Sequence, residues 1–227
     1  MRRKLVGLTA GVLTLGAAMA STAAAQVRRN AFTPFVSYAL PLGNLASGAN
    51  LDMKATGGVM VGITAEVGLS KVLALSAFAG STIGLTQKFK VTDKQASDEV
   101  TFGAATTQVG ATLVFRPLGT LPNGGPRSFF LEAGGALNLL SVSDITARSS
   151  STRLALGDNY PVLTFGAGLS FPMGPRATGL IFARYNLAMT EYNSTWLKDW
   201  NAAPPINSDP GKKVSVLMIG MGIRTGF

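Results

Sequence analysis

VMVGITAEVGLSKVLALSAFAGST, residues Val59–Thr82, alternates large apolar and small residues with a period of two. Val59, Val61, Ile63, Ala65, Val67 and Leu69 form one register, interleaved with Met60, Gly62, Thr64, Glu66 and Gly68. A tight turn at Ser70-Lys71 follows. Leu73, Leu75, Ala77, Ala79, Ser81, Ile83 and Leu85 then alternate with Ser76, Phe78, Gly80, Thr82 and Gly84. Such alternation describes a β-hairpin with one apolar face, not a helix.

The pattern recurs along the chain. Val109–Phe115, Phe129–Leu139, Leu163–Phe171, Ile181–Met189 and Leu217–Phe227 repeat it, and Pro34–Leu40 makes a weaker first strand with Val36, Tyr38 and Leu40 on one side. The count is eight strands. Every charge inside them, Glu66, Arg116, Glu132, Arg184 and Arg224, shares the Gly-rich register. A soluble sandwich would need its second face rich in charge. Here that face is mostly Gly, Ser, Thr, Ala and Asn, residues that fit the narrow inside of a small closed barrel, while the apolar register fits lipid. The chain is 47% hydrophobic and only 14% charged, where soluble domains carry about a quarter of their residues charged. Beyond the first 25 residues no run approaches the about 20 apolar residues of a helical span. The expected fold is all-β: an eight-stranded antiparallel up-and-down transmembrane β-barrel.

The first 25 residues read as a secretory signal peptide: Arg2, Arg3 and Lys4, then apolar Leu5–Ala20, then Ala23-Ala24-Ala25 before Gln26. Ala18-Met19-Ala20 is a second cleavage site, and an uncleaved anchor is the rival reading. Residues 26–227 form the barrel domain. The leader holds three of the 20 basic residues and none of the 11 acidic ones, leaving a net charge of +6.

The connections alternate. Pro41–Ala55, Gln87–Glu99, Ser143–Asn159 and Glu191–Lys213 are long; Ser70-Lys71, Pro117–Ser128 and Pro172–Thr178 are shorter. Four long outer loops and three short turns are what a barrel with both ends on the inner side requires. Phe115, Phe129, Phe171 and Phe227 then fall in the lipid-facing register at the short-turn edge, where an interfacial aromatic belt belongs.

With these features the chain resembles the small eight-stranded outer-membrane barrels of the OmpA/OmpX type over about residues 30–227. Leu217, Ile219, Met221, Ile223 and Phe227 resemble the C-terminal insertion signal of that family, with Thr225 standing where an aromatic or large apolar residue is usual. The resemblance implies the outer membrane of a Gram-negative-type bacterium and insertion by the barrel-assembly machinery. No peptidoglycan-binding domain is expected after Phe227.

With no His and no Cys, a Ser-His-Asp or Cys-His nucleophile, a His-ligated zinc and a disulfide framework are excluded. Barrel lipases and proteases resemble one another in using a His base, and no phosphate-binding Gly-x-x-x-x-Gly-Lys occurs. A non-enzymatic protein without cofactor or metal is expected. Glu66, Glu132, Arg184 and Arg224 are expected to meet in the lumen as a charge network, read either as a plug or as the constriction of a narrow pore. Arg116, at the strand edge, is expected to be solvated. Inward Met60, Phe78, Phe102, Leu140 and Phe182 act as filling, or as the lining of a conduit for small apolar solutes. Lys88–Val91 and Val100–Thr106 extend the alternation past the membrane as a hairpin, a stiff loop or an edge for a partner's strand. In the last loop Trp196 and Trp200 are candidate contact anchors, or fold over the mouth. Lys54, Lys88, Lys90, Lys94, Arg148, Arg153, Lys198, Lys212 and Lys213 in the outer segments suit outer-membrane lipid and lipopolysaccharide phosphates. No basic stripe is interleaved with aromatics, so nucleic acid is not an expected partner.

Overall fold

A strand whose alternate side chains are large and apolar must give that face to lipid or to a core, and its backbone must pair on both edges. In the computed structural model both needs are met by closure. The structure describes residues 30–47, 51–70, 72–83, 87–93, 98–117, 128–146, 153–174, 177–190 and 213–226. The expected leader, Trp196, Trp200 and Phe227 lie outside them.

Eight strands close a ring: β1 (Asn30–Leu42), β4 (Gly58–Gly68), β5 (Leu73–Thr82), β7 (Asp98–Phe115), β8 (Ser128–Thr146), β9 (Arg153–Pro172), β10 (Ala177–Ala188) and β11 (Ser215–Gly226). The order around the ring is β7-β5-β4-β1-β11-β10-β9-β8, and β8 returns to β7, so the barrel has no edge. All eight pairings are antiparallel, including the closing one between the first and last strands, where Phe35 faces Gly222 and Tyr38 faces Ile219. β4, β5, β10 and β11 are 10–12 residues long, close to the about 9–11 a tilted spanning strand needs.

Among the residues of these eight strands whose side chains are described, the outward register carries no charge. Tyr38, Leu40, Val61, Leu113, Leu163, Ile181, Ile219 and Met221 are all exposed. In a chain that buried its apolar face, these side chains would be the core. Here they are the outside, and the buried set includes Glu66, Gln108, Glu132, Asn138, Arg184 and Asn186.

The expected first strand, Pro34–Leu40, is longer, running Asn30–Leu42. Three of the segments expected as long loops are largely strand. Pro41–Ala55 holds β2 (Asn44–Ser47) and β3 (Leu51–Ala55), Gln87–Glu99 holds β6 (Gln87–Asp93), and β8 and β9 run on into Ser143–Asn159. The apolar-against-small contrast that marks a spanning strand ends at the membrane boundary, whereas backbone pairing does not. β6 pairs with the outer half of β7, Val91 facing Val100 and Lys88 facing Gly103. The outer edge of that hairpin is taken by the chain's own β3, with Lys54 facing Lys90, and β3 is flanked by β2. A four-stranded sheet thus continues one side of the barrel wall. It is creased at Gly43, whose φ of 121° is open to glycine at little cost, and at Thr56-Gly57, between β3 and β4. Thr56 secures that crease. Its N–H donates to the Lys88 carbonyl at 2.8 Å, and its hydroxyl accepts from the Lys88 N–H at 2.9 Å.

Candidate functional site: the filled lumen

The inward register of eight strands leaves an interior only wide enough for side chains, so its contents decide what passes. Large inward residues stand opposite glycines of the neighbouring strand. Phe35 faces Gly62 and Gly222, Phe78 faces Gly110, Phe130 faces Gly168, and Phe182 faces Gly168 and Gly220. Each ring occupies the space a β-carbon would take. A Cβ at Gly220 would come within 2.6 Å of Phe182 Cζ, and one at Gly110 within 2.7 Å of Phe78 Cζ. The Gly-rich register is therefore the floor on which the aromatic filling lies. Phe35 and Phe182 meet edge to face, ring centroids 5.7 Å apart, a favoured geometry for two rings. Met60, Phe78, Leu140 and Phe182, expected inward, are all buried. Phe102 lies on β7, with its side chain outside the described set.

Among the described residues, five charges sit within this filling. Arg184 on β10 donates from Nε to Glu132 Oε1 at 2.8 Å and from Nη2 to Glu132 Oε2 at 3.0 Å, a two-point clamp. The Thr112 hydroxyl donates to Glu132 Oε2 at 3.3 Å. The guanidinium lies 4.2 Å above the Phe78 ring and 5.4 Å from that of Phe182, so aromatic faces supply part of its desolvated surroundings. Glu66 on β4 accepts from Arg224 Nη2 at 2.8 Å and from Arg116 Nη2 at 2.6 Å.

Of the four expected network residues, the structure thus pairs Glu132 with Arg184 and Glu66 with Arg224. Arg184 is mid-strand, whereas Arg224 is near the end of β11 at the short-turn side. Arg116 corrects the sequence reading. It is 5% exposed, bonded to Glu66 and 5.9 Å from the Phe130 ring. Its α-carbon is at the strand edge, but an arginine side chain is long enough to turn its head back into the lumen. Charge at a strand end locates a backbone, not a guanidinium.

Toward the outer mouth the buried polar groups become neutral. Gln108 Nε2 donates to Asn138 Oδ1 at 2.8 Å, and the Thr164 hydroxyl donates to Asn186 Oδ1 at 2.9 Å. Asn186 in turn donates to Met218 Sδ at 3.2 Å. The sequence reading missed this layer. The signal was there: the four residues sit in the inward register of β7, β8, β9 and β10, but their pairing needs the register between strands. Among the described residues no group of His, Cys, Asp and Glu could hold a metal ion.

On the outside, Phe115 and Phe129 are exposed at the short-turn edge. Phe171 is half-buried, its ring lying on Gly179. Phe32, also exposed, stands opposite Thr225 at the same edge. Ile219, Met221 and Ile223 face outward and are exposed, and Leu217 is partly covered.

No protein-family model matches the chain, and no curated protein matches it. Solved structures do. Neisserial surface protein A is 15% identical with a TM-score of 0.52, the match covering 87% of this chain and 97% of that one. The outer membrane protein OprG from Pseudomonas aeruginosa is 13% identical with a TM-score of 0.51, over 88% and 94%. A major outer membrane protein from Thermus thermophilus is 13% identical with a TM-score of 0.50, over 87% and 99%. At such identities the likeness is one of fold, and it agrees with the closed ring of eight strands. The chain has the fold of the small eight-stranded outer-membrane β-barrels.

Proposed function

We propose that this protein is a non-enzymatic integral barrel of a Gram-negative-type outer membrane, with a structural or surface-interaction role and a lumen closed by its Glu/Arg network. The observation that carries the reading is the Glu132–Arg184 clamp, set between the Phe78 and Phe182 rings where a solute would have to pass. Among the described residues both lumenal carboxylates, Glu66 and Glu132, are engaged by arginines, so neither is a free base. With no His or Cys in the chain, His-activated nucleophiles, cysteine chemistry and His-ligated metals are closed to it. In this reading Phe115, Phe129, Phe171 and Phe32 form the inner aromatic belt, with Phe227 completing it. Leu217, Ile219, Met221, Ile223 and Phe227 serve as the insertion signal read by the barrel-assembly machinery, and residues 1–25 are the cleaved leader. Trp196 and Trp200 are contact anchors of the last outer segment. Nucleic acid is not a partner.

The competing reading, a narrow pore for small or apolar solutes, is favoured by one observation. Arg116 and Arg184 each keep a buried Nη1 without a protein partner, as a network able to re-pair would. Reconstitution into planar lipid bilayers separates the two. The closed reading expects no steady current from the wild-type protein under an applied potential. A steady wild-type current would overturn it and leave the pore.

A further inference from the structure

The charges enclosed by the barrel do not balance. Among the described residues the lumen holds three arginines, Arg116, Arg184 and Arg224, against two glutamates, Glu66 and Glu132. Arg184 and Glu132 cancel one another in their two-point clamp. The surplus of one positive charge therefore belongs to Arg116, Glu66 and Arg224, where each carboxylate oxygen of Glu66 is taken by one guanidinium. With Arg116 in solvent the enclosed set would be neutral. Its burial creates the surplus.

A buried charge without a counter-charge is costly, and burial is deep here: side-chain exposure is 6% for Arg116 and 8% for Glu66. The short connections border this triad. The Arg116 N–H donates to the Val72 carbonyl beside the first at 2.8 Å, Pro117 opens the second, and Arg224 is the register partner of Thr178 at the end of the third. None of them offers a compensating acid, because Ser70-Lys71, Pro117–Ser128 and Pro172–Thr178 contain no Asp or Glu.

The surplus coincides with an unmet donor. Arg116 Nη2 bonds Glu66 at 2.6 Å, while its Nη1 is buried and has no partner among the described residues. Arg184 also keeps a buried Nη1, but its charge is already cancelled, so a neutral acceptor such as water suffices there. At Arg116 the missing acceptor and the missing negative charge fall on one group. Arg224 marks the way in: its side chain is 17% exposed, and it stands near the end of β11 at the short-turn mouth.

We propose that Arg116, with Arg224 beside it on Glu66, binds one small monovalent inorganic anion just inside the inner mouth of the barrel. One negative charge matches a surplus of one, and an interior only wide enough for side chains has no room for a bulky organic anion. The ion accepts from Arg116 Nη1 and makes the enclosed set neutral. The site requires only the closed barrel and is independent of whether the lumen conducts.

Chloride is the probe, replacing gluconate at constant ionic strength, and the readout is the urea unfolding midpoint of the full chain in lipid vesicles. A ligand held by the folded state alone stabilises it by mass action. For a site half-filled near about 10 mM, the folded-to-unfolded ratio of the wild type is expected to rise about tenfold between about 1 and about 100 mM chloride. Arg116→Gln removes both the surplus and the orphaned donor while leaving Glu66 paired with Arg224, and its midpoint is expected not to respond. Glu66→Gln lowers the midpoint but raises the surplus to two, so its response is expected to be steeper than that of the wild type. Lys213→Gln, which removes an exposed charge, is expected to keep the wild-type response. A boiled-against-unboiled gel shift verifies that each variant is folded. A flat wild-type midpoint, or a chloride response in Arg116→Gln as large as that of the wild type, would overturn the proposal.

Discussion

Glu132 and Arg184 are two strands apart, and both are register partners of Gly166 on the strand between them. The ion pair is made across that glycine. The Glu132 carboxylate occupies the volume a β-carbon at 166 would fill, and Glu132 Cγ would be only 2.7 Å from it. The lumenal ion pair thus needs an absent side chain at position 166. Gly166→Ala is expected to push the carboxylate off its guanidinium and cost about 1–3 kcal/mol. Urea unfolding from lipid vesicles reads this as a lower midpoint. An unchanged midpoint would mean that the carboxylate does not lie there.

Removing one member of the clamp is a different experiment. Both side chains are about 95% buried, so Arg184→Ala leaves a carboxylate without its partner in a dry interior, a loss of about 3–5 kcal/mol. Replacing both at once, Glu132→Gln with Arg184→Met, keeps the volume and removes the stranded charge. It is expected to cost less than Arg184→Ala alone. A double-mutant cycle in the same unfolding assay gives the coupling, and simple additivity would contradict the clamp.

Glu66 serves two arginines of unequal burial. Side-chain exposure is 6% for Arg116 and 17% for Arg224. Glu66→Gln strands both and is expected to cost about 3 kcal/mol. Arg224→Ala leaves Glu66 still held by Arg116 and is expected to cost about 1 kcal/mol. The reverse order of unfolding midpoints would show that Arg116 is not the deeper partner.

Three glycines separate the reasons a position excludes a side chain. At Gly62 a β-carbon would collide with the Phe35 ring; at Gly43 it would meet nothing, but φ is 121°; at Gly174 neither applies. Alanine at Gly62 is expected to cost about 1–3 kcal/mol, at Gly43 about 1 kcal/mol, and at Gly174 under about 0.5 kcal/mol. Equal midpoints for the Gly62 and Gly174 variants would remove the aromatic-on-glycine account.

Much of this was legible in the residues themselves. Val59–Thr82 shows the period of two, and the confinement of Glu66, Glu132, Arg184 and Arg224 to one register shows which face is enclosed. The inner ends of the spanning strands were legible too, because lipid demands an unbroken apolar face there. What stayed hidden depends on relations between strands. Phe35 opposite Gly62, or Gln108 bonded to Asn138, follows only from register, which hairpin sequences set weakly when both neighbours are small. β2 and β3 were read as loop because outside the membrane neither face has to be apolar, whereas the β6 hairpin was legible in the alternation of Lys88–Val91 matched by Val100–Thr106. Arg116 was misplaced because the position of a long side chain's head is decided by its partner.

The central claim is that the apolar register faces lipid and the other encloses a filled lumen. The chain has no cysteine, so single cysteines placed along β9 report one position each. In lipid vesicles, labels at Leu163→Cys, Phe165→Cys and Leu169→Cys are expected to be quenched by a bilayer-soluble agent. Val162→Cys and Thr164→Cys are expected to resist a water-soluble thiol reagent until the protein is unfolded. Loss of that alternation would contradict the barrel's orientation toward lipid, and rapid reaction at 162 and 164 in the folded protein would contradict the closed lumen.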